Sequence, residues 1–443
     1  MLRTIGVASI EELFADIPSH LRLAGALHLE AGKSELEVYE ELRALAARNT
    51  STEDELCFLG AGMYDHYVPA LVDSIISRSE FLTPYTPYQP EVSQGGLQAM
   101  FEYQTAICEL TGLPVSNASV YEGPSAVAAA GYVAKLANGR RRFVVSRGVH
   151  PHSREALATL AHGWGMEVAE APLHDGATDL PALDSDVSAV IVQQPNFLGA
   201  VEDLEAIATA AHEAGALCVA ACDPLPLSLL RAPGDCGVDV AVGEGQTLGN
   251  RLDFGGPSFG FFAATDALIR RVPGRIAGET VDAEGKRGFV LTLQTREQHI
   301  RREKATSNIC TAQALNALAG VIYLSWLGRH GIVELTELML QRTAYARERL
   351  AGVPGVHALH DQPVVREFAV TLDAPVQAVI EHCAARGVNP GYHLGRDYPE
   401  HEDGLLIAIT EKRTHAHIDR LADALGEAVT AERSRDPHHV GAA

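Results

Sequence analysis

The chain has 443 residues, enough for one large and one smaller domain, and its 47% hydrophobic content is typical of globular proteins. A formal net charge of -22 at pH 7 argues against nucleic-acid binding, which needs a positive surface, and against binding to anionic membranes. The sequence also predicts no signal peptide and no membrane-spanning run. The seven cysteines are scattered and form no CxxC pair, which predicts a reducing cytoplasm without a disulfide framework. Cys218 and Cys222 have the spacing of a loose metal pair but lie in an apolar run, so core thiols are predicted there.

The first part of the chain, residues 1–65, is predicted to be a helical amino-terminal arm. Ser34 and Glu37 have the spacing of a capping box at the start of one of its helices. A segment rich in glycine, tyrosine and proline overlaps the end of this arm, over residues 60–96, and one helix near residues 68–77 interrupts it. Long irregular segments of compact proteins are usually functional or wrap a partner.

From about residue 97 the pattern changes to alternating helices and strands. Continuous apolar strands separated by helices indicate a parallel or mixed sheet that is covered on both faces. The predicted strands are residues 141–146, 166–173, 188–195, 216–224, 239–245 and 260–264, and the helices between them are residues 97–110, 123–137, 153–162 and 206–215. Two long helices, residues 307–329 and 332–350, follow this pattern.

The domain prediction is an α/β fold with a large domain over residues 66–330 and a small α+β domain over residues 331–433. The tail, residues 434–443, is predicted to be disordered. A helical arm, a large α/β domain with a mixed sheet and a small α+β domain together are typical of fold-type-I pyridoxal-phosphate transferases.

An enzyme of that kind needs a phosphate site, a ring-stacking residue, an aspartate at a strand end and a lysine for the Schiff base. Ser125 near a helix start is the candidate phosphate ligand, although Glu122 would oppose a phosphate and a simple helix cap is an equal alternative. His150 or His152 is the candidate stacking residue, with a structural hydrogen-bonding role as the alternative. Asp223 ends a predicted strand and occupies the aspartate position.

The lysine position is empty. The turn after strand 239–245 contains Gln246, and none of the five lysines of the chain lies there. Without that amine the chain has the architecture of the cofactor fold and lacks its covalent anchor. The same glycine-rich turn could be a dinucleotide loop, but its third glycine comes one place late and no helix clearly starts there.

Several long runs resemble the alpha subunits of the glycine decarboxylases, the P-proteins of the glycine cleavage system. The most specific are YTPYQPE (85–91), GQTLGNRLDFGGPSFGFFA (245–263) and REQHIRREKATSNIC (296–310). The similarity extends from Met1 to about Val429. Glu122 and Glu244 depart from the family pattern around a vestigial cofactor pocket, whose expected members are Ser125, His150, Asp223 and Gln246.

The resemblance implies that this chain pairs with a beta subunit in an alpha2-beta2 assembly and that the beta subunit holds pyridoxal phosphate on a lysine. Glycine would lose CO2 there, and its aminomethyl group would pass to the oxidised lipoyl arm of the H-protein. This chain would have no catalytic residue of its own and would supply half of the interface. Two alternatives stay open: a noncatalytic scaffold or regulatory homodimer, and a paralogue whose complex acts on another amino acid.

Two segments are candidates for a wall of the partner's active site or for the subunit interface. In the irregular segment, aromatic and amide side chains would line the entry of the lipoyl arm and exclude water, or would only seal the interface. In the basic segment before the long helix, cationic side chains would bind the partner or its cofactor phosphate, or would be solvated. The same segment predicts a helix cap at Thr306 or Ser307. The candidates are Tyr64, His66, Tyr85, Tyr88, Gln89, Gln94, Arg301, Lys304 and Asn308.

Overall fold

The computed structural model describes residues 1–23 and 25–435, so residues 436–443 of the predicted disordered tail lie outside the described residues. The chain divides into two compact units, Met1–Ser51 and Thr52–Ala443. The predicted arm extended to residue 65, but the structure assigns residues 52–65 to the second unit. They belong there because Leu56–Cys57 pairs with Val388–Asn389 near the other end of the chain.

Among its described residues the first unit contains two α-helices, α1 (Leu2–Ile5) and α2 (Glu35–Ala46), and neither has a buried residue. The predicted capping box is confirmed at the start of α2. The Ser34 hydroxyl accepts a hydrogen bond from the Glu37 backbone N–H, and the Glu37 carboxylate accepts one from the Ser34 backbone N–H. These two bonds satisfy amide groups that have no partner inside the helix.

The second unit contains ten helices and seventeen strands among its described residues. Its helices are α3 (Ala70–Ile76), α4 (Ser79–Leu82), α5 (Gln94–Thr111), α6 (Gly123–Asn138), α7 (Pro151–Gly163), α8 (Leu204–Glu213), α9 (Gln298–Arg301), α10 (Ala314–Ala351), α11 (Val376–Ala384) and α12 (His415–Arg435). Its strands are β1 (Leu56–Cys57), β2 (Val115–Ser116), β3 (Arg142–Ser146), β4 (Glu167–Ala171), β5 (Leu173–His174), β6 (Ala177–Thr178), β7 (Val187–Gln194), β8 (Leu217–Cys222), β9 (Val240–Glu244), β10 (Gly260–Ala264), β11 (Ala277–Val281), β12 (Arg287–Leu291), β13 (Val356–Ala358), β14 (Glu367–Leu372), β15 (Val388–Asn389), β16 (Tyr392–His393) and β17 (Gly404–Ala408).

A seven-stranded mixed sheet with the order β2-β10-β9-β8-β7-β3-β4 forms the centre of the second unit. Strands β3, β4, β7, β8 and β9 pair in parallel, and β10 is antiparallel to both of its neighbours. The α/β prediction with a mixed sheet is therefore confirmed. The carboxyl ends of β7, β8 and β9 meet at one edge, and this edge positions the cavity described below.

Helices cover both faces of this sheet, which explains its continuous apolar strands. In β7, Val190 and Val192 belong to one core cluster, and Ala189 and Ile191 belong to the cluster on the opposite face. All four are fully buried, as strand alternation requires when neither face meets water. Cys218 and Cys222 lie in the first cluster, so the prediction of core thiols at these positions is confirmed.

A four-stranded antiparallel sheet with the order β13-β14-β17-β16 lies in the carboxy-terminal part, where a small α+β domain is predicted. Its core includes Phe368, Leu405 and Ile407 from the sheet and Leu421 and Leu425 from α12. No described helix combines the length and the apolar character that a membrane span requires.

The predicted helix start at Thr306 or Ser307 is wrong, because α10 begins at Ala314. The Ser307 hydroxyl accepts a hydrogen bond from the Ile309 N–H, so it serves a local turn and caps no helix. The two predicted helices are joined into α10 across a kink at Gly328, where φ is 63°. Glycine tolerates this angle because it has no Cβ.

The backbone contact between Gly199 and the carbonyl of Glu367 gives a stability prediction. Gly199 has a φ of +89°, and a Cβ there would collide with this carbonyl at the start of β14. We expect Gly199→Ala to lower the free energy of unfolding by about 3 kcal/mol, from backbone strain and displacement of β14. Chemical denaturation measures the change.

Gly285→Ala is the matched control, since Gly285 has a similar φ of +81° and open space around the added Cβ. It should cost only the strain of the left-handed region, about 1 kcal/mol. Equal losses in the two variants would contradict the proposed collision.

Candidate functional site

A cavity of about 340 Å³ opens at the carboxyl ends of β7, β8 and β9, beside the first turns of α6 and α7. In α/β sheets of this kind, ligands bind at this edge. Val127, Phe197 and Ala221 form part of its apolar wall. Its charged lining includes Glu122, Asp223, Glu244, Arg366 and Asp397, and His150 lines it as well.

Two carboxylates occupy the amino terminus of α6, where a phosphate would be expected to bind. Glu122 is the N-cap residue, and its Oε1 accepts hydrogen bonds from the backbone N–H of Ser125 at 2.8 Å and from the Ser125 hydroxyl. Glu244 Oε2 accepts from the Gly123 N–H at 3.0 Å. The helix donors that would hold a phosphate are therefore already bonded to the chain's own anions.

Glu244 also closes the turn that follows β9. Its Oε1 accepts hydrogen bonds from the Gln246 N–H at 3.0 Å and from the Ser258 hydroxyl at 2.5 Å. Burial raises the pKa of Glu244, and its three hydrogen bonds act in the opposite direction by favouring the ionised form.

Asp223, the predicted partner of a pyridine nitrogen, forms an ion pair with Arg366 instead. Arg366 is 2% exposed, its guanidinium lies 3.5 Å from the centroid of the Tyr64 ring, and it hydrogen-bonds to His66. The positive charge beside Asp223 therefore comes from a protein side chain.

Gln246, at the predicted lysine position, is 1% exposed, and both polar atoms of its side-chain amide are hydrogen-bonded. Its Oε1 accepts from the Tyr64 N–H at 3.0 Å, and its Nε2 donates to the carbonyls of Tyr64 at 3.0 Å and Asn250 at 2.8 Å. The amide thus fastens residues 61–67 to the turn after β9.

The residues of this cavity do not fit pyridoxal phosphate. No lysine lines it, carboxylates bind the helix donors that a phosphate needs, and Asp223 is neutralised by Arg366. Among the described residues, no group of three or more histidines, cysteines or carboxylates is arranged to hold a metal ion.

His150 lines the cavity but is held by structural hydrogen bonds. Its Nδ1 accepts from the His152 N–H at 3.1 Å and caps α7, while its Nε2 lies 2.9 Å from the Ala61 carbonyl. Burial lowers the pKa of His150, which favours a neutral ring. The ring meets Phe197 edge-on at 5.0 Å between centroids.

A buried polar network joins the segment around Tyr64 to the carboxy-terminal sheet. The Tyr64 hydroxyl donates to Glu367 at 2.7 Å, and the Ala61 N–H donates to the same carboxyl group at 2.8 Å. Burial raises the pKa of Glu367 to about 7. Burial also acts to raise the pKa of Glu411, but His66, 2.7 Å away, brings it down to about 2.

The predicted wall residues form three groups: two are buried, two are exposed but hydrogen-bonded within this chain, and five are exposed without such a role; only Tyr64 lines the cavity. Tyr64 and His66 are buried within this chain. The hydroxyl of Tyr88 accepts from Arg275 at 2.6 Å, and the side-chain amide of Gln94 bonds to both backbone groups of Phe289 at 2.8 Å. The remaining candidates, Tyr85, Gln89, Arg301, Lys304 and Asn308, are exposed and do not line the cavity.

Arg366, Glu367 and Thr247 are site residues that the sequence analysis did not identify. A sequence signal was available for Arg366 and Glu367, because these two adjacent charged residues lie inside the apolar run VVREFAV. Charges in such a run are seldom buried without partners. No feature of the sequence around Thr247 marks it as a site residue.

Replacing Gln246 tests whether its side-chain amide holds residues 61–67 to the turn after β9. We expect Gln246→Ala to lower the free energy of unfolding by about 2–4 kcal/mol, because it leaves buried groups of Tyr64 and Asn250 without partners. Gln377→Ala is the control, since Gln377 is exposed and bonds only within its helix, to Glu381. Denaturant titration should show a change below about 0.5 kcal/mol for the control. Similar losses in both variants would count against the fastening role.

Glu367 gives a prediction about pH. Its carboxyl group ionises near pH 4.5 in the unfolded chain and near pH 7 in the folded one. Between these values the folded state binds the extra proton, so its contribution to stability is present below pH 4.5 and is lost as pH rises to about 7. We expect Glu367→Gln to gain stability relative to the parent chain by about 3 kcal/mol between pH 4.5 and 7.5. Unfolding curves for the two proteins that stay parallel across this range would disprove the assignment.

Comparison with known proteins agrees with the fold and the sequence motifs. A family model described as glycine cleavage system P-protein matches residues 1–425. Over 96% of both chains, this chain is 50% identical to the probable glycine dehydrogenase (decarboxylating) subunit 1 of Moorella thermoacetica, and it is 49% identical to that of Geobacillus kaustophilus.

Solved structures give the same result. A crystal structure of glycine decarboxylase (P-protein) of the glycine cleavage system, in inhibitor-bound form, aligns with a TM-score of 0.91 and 46% identity over 97% of each chain. A cysteine desulfurase of Escherichia coli, 15% identical, aligns over 86% of this chain and 96% of its own with a TM-score of 0.63, which shows the shared fold-type-I architecture of pyridoxal-phosphate enzymes. The chain therefore belongs to the P-protein family of the glycine cleavage system.

Proposed function

We propose that this chain is the alpha subunit of a two-chain glycine decarboxylase and that it does not hold the cofactor. The observation that carries the proposal is the fully bonded amide of Gln246 in the turn where a cofactor-bearing chain needs a lysine. The two carboxylates at the start of α6 support it, because they repel the phosphate of the cofactor.

In this proposal a beta subunit of the same fold holds pyridoxal phosphate on its own lysine and decarboxylates glycine. The aminomethyl group passes to the lipoyl arm of the H-protein. The relatives named subunit 1 support a second, separate chain, since a numbered subunit implies a partner.

The role proposed for this chain is to complete the partner's site from outside its own cavity. Tyr85 is 79% exposed and lines a second, largely apolar cavity of about 360 Å³ together with Phe81, Val92 and Met100. Exposed aromatic and apolar side chains around such a cavity are typical of protein interfaces. We propose that four further exposed residues contact the partner or its cofactor: Gln89, Arg301, Lys304 and Asn308.

Co-purification with the beta chain, followed by glycine–bicarbonate exchange in the presence of H-protein, tests the proposal. We expect exchange from the mixture and none from this chain alone. Exchange by this chain alone would contradict the proposal, as would a mixture no more active than the beta chain. A stable homodimer that ignores the beta chain would favour the scaffold alternative. Preference for another amino acid in competition assays would favour the paralogue.

A spectrum of the purified chain provides an independent check. After incubation with pyridoxal phosphate and dialysis, we expect no Schiff-base absorbance, because no lysine amine reaches the cavity. A retained band that traces to one lysine of this chain would refute the assignment.

Tyr85→Ala tests the proposed wall. Because Tyr85 is 79% exposed, the variant should fold with a stability within about 0.5 kcal/mol of the parent, yet reduce exchange by the assembled complex about tenfold or more. Leu160→Ala, a truncation of a 45% exposed side chain on α7, is the control and should leave exchange unchanged. Equal rates in the two complexes would remove Tyr85 from the wall.

A further inference from the structure

Two polar groups of the cavity at the carboxyl ends of β7, β8 and β9 remain without hydrogen-bond partners among the described residues. They are the hydroxyl of Thr247, a residue 2% exposed, and Nε of Arg366, also 2% exposed. Both residues line the cavity. Buried polar groups without partners are rare in native proteins, and each points to a water or ligand that is held there.

The charge of the same cavity is negative. Four carboxylates line it, those of Glu122, Asp223, Glu244 and Asp397, against the single guanidinium of Arg366. Arg366 is paired with Asp223, and the hydroxyl of Tyr392 bonds to Asp397. The carboxylates of Glu122 and Glu244 have no cationic partner among the described residues and lie together at the amino terminus of α6.

We propose that this cavity binds a small molecule that carries a protonated primary amine. An ammonium group has three donors, and it would find acceptors in the carboxylates of Glu122 and Glu244 and in the Thr247 hydroxyl. The aliphatic part of the ligand would pack on Val127, Ala221 and Phe197. The cavity would therefore select a cation, whereas a phosphate site selects an anion. This inference does not depend on the partner chain or on decarboxylation.

Two sources share this chemistry, an alkylamine and a small α-amino acid. Only an amino acid also supplies a carboxylate, which would accept a hydrogen bond from the free Nε of Arg366. Comparing the affinities of an alkylamine and a small α-amino acid therefore distinguishes the two sources.

Isothermal titration calorimetry on the full-length chain tests the proposal, with ethylammonium chloride, glycine and inorganic phosphate at constant ionic strength. We expect saturable binding of ethylammonium or glycine and none of phosphate. Tighter binding of glycine identifies an amino-acid site, and tighter binding of ethylammonium identifies an amine site. Saturable binding of phosphate, or of none of the three, overturns the proposal.

Two variants locate the bound amine. Glu122→Gln removes a charge and Thr247→Val removes a hydroxyl with little change in shape, and each should raise the dissociation constant, the first by about tenfold. Glu205→Gln is the control, because Glu205 lies in the first turn of α8 and pairs with Arg231 outside the cavity. If Glu122→Gln fails to fold, Thr247→Val decides alone. Affinity that is unchanged in every folded cavity variant overturns the proposed site.

Discussion

The ion pair between the buried Arg366 and the half-buried Asp223 is the interaction on which the arrangement of the cavity depends. Removing one member of a buried pair typically costs about 3–5 kcal/mol, since the other charge is left unpaired in a medium that solvates it poorly. Arg366 therefore has to stay at the end of β8, and its position fixes the neighbours. Its guanidinium stacks on Tyr64 and bonds to His66, and His66 in turn bonds to Glu411 beyond β17.

Each group that a cofactor of this fold requires has a counterpart within the chain. Carboxylates take the helix donors that a phosphate would use, a guanidinium supplies the positive charge beside Asp223, and an amide stands in the turn where a lysine is predicted. The architecture persists because the apolar strands and their covering helices are independent of these polar positions. A cofactor fold can thus keep its core while its site changes chemistry.

The sequence predicted six of the seven strands of the central sheet, because strands such as β7 and β8 are apolar runs, a pattern that depends only on local residues. It did not predict β2, whose two residues are too few to give such a pattern. It also placed Gln246 in the turn after β9, and the structure has it there, two residues beyond the end of the strand. The Asp223–Arg366 pair could not be predicted, because its members lie far apart in sequence and meet only when the residue before β14 comes to the carboxyl end of β8. The start of α10 was misplaced because Ser307 is a good cap by composition, while tertiary contacts direct its hydroxyl to a local turn.

The bonding of Gln246 has a consequence for the history of the chain. A change of Gln246 to lysine would supply an amine but would leave the buried Tyr64 N–H without the acceptor that Oε1 provides, while both carboxylates would still repel a phosphate. This single change therefore lowers stability before it gains any cofactor binding. The hydrogen bonds that stabilise the turn after β9 therefore oppose the return of a cofactor site to this cavity.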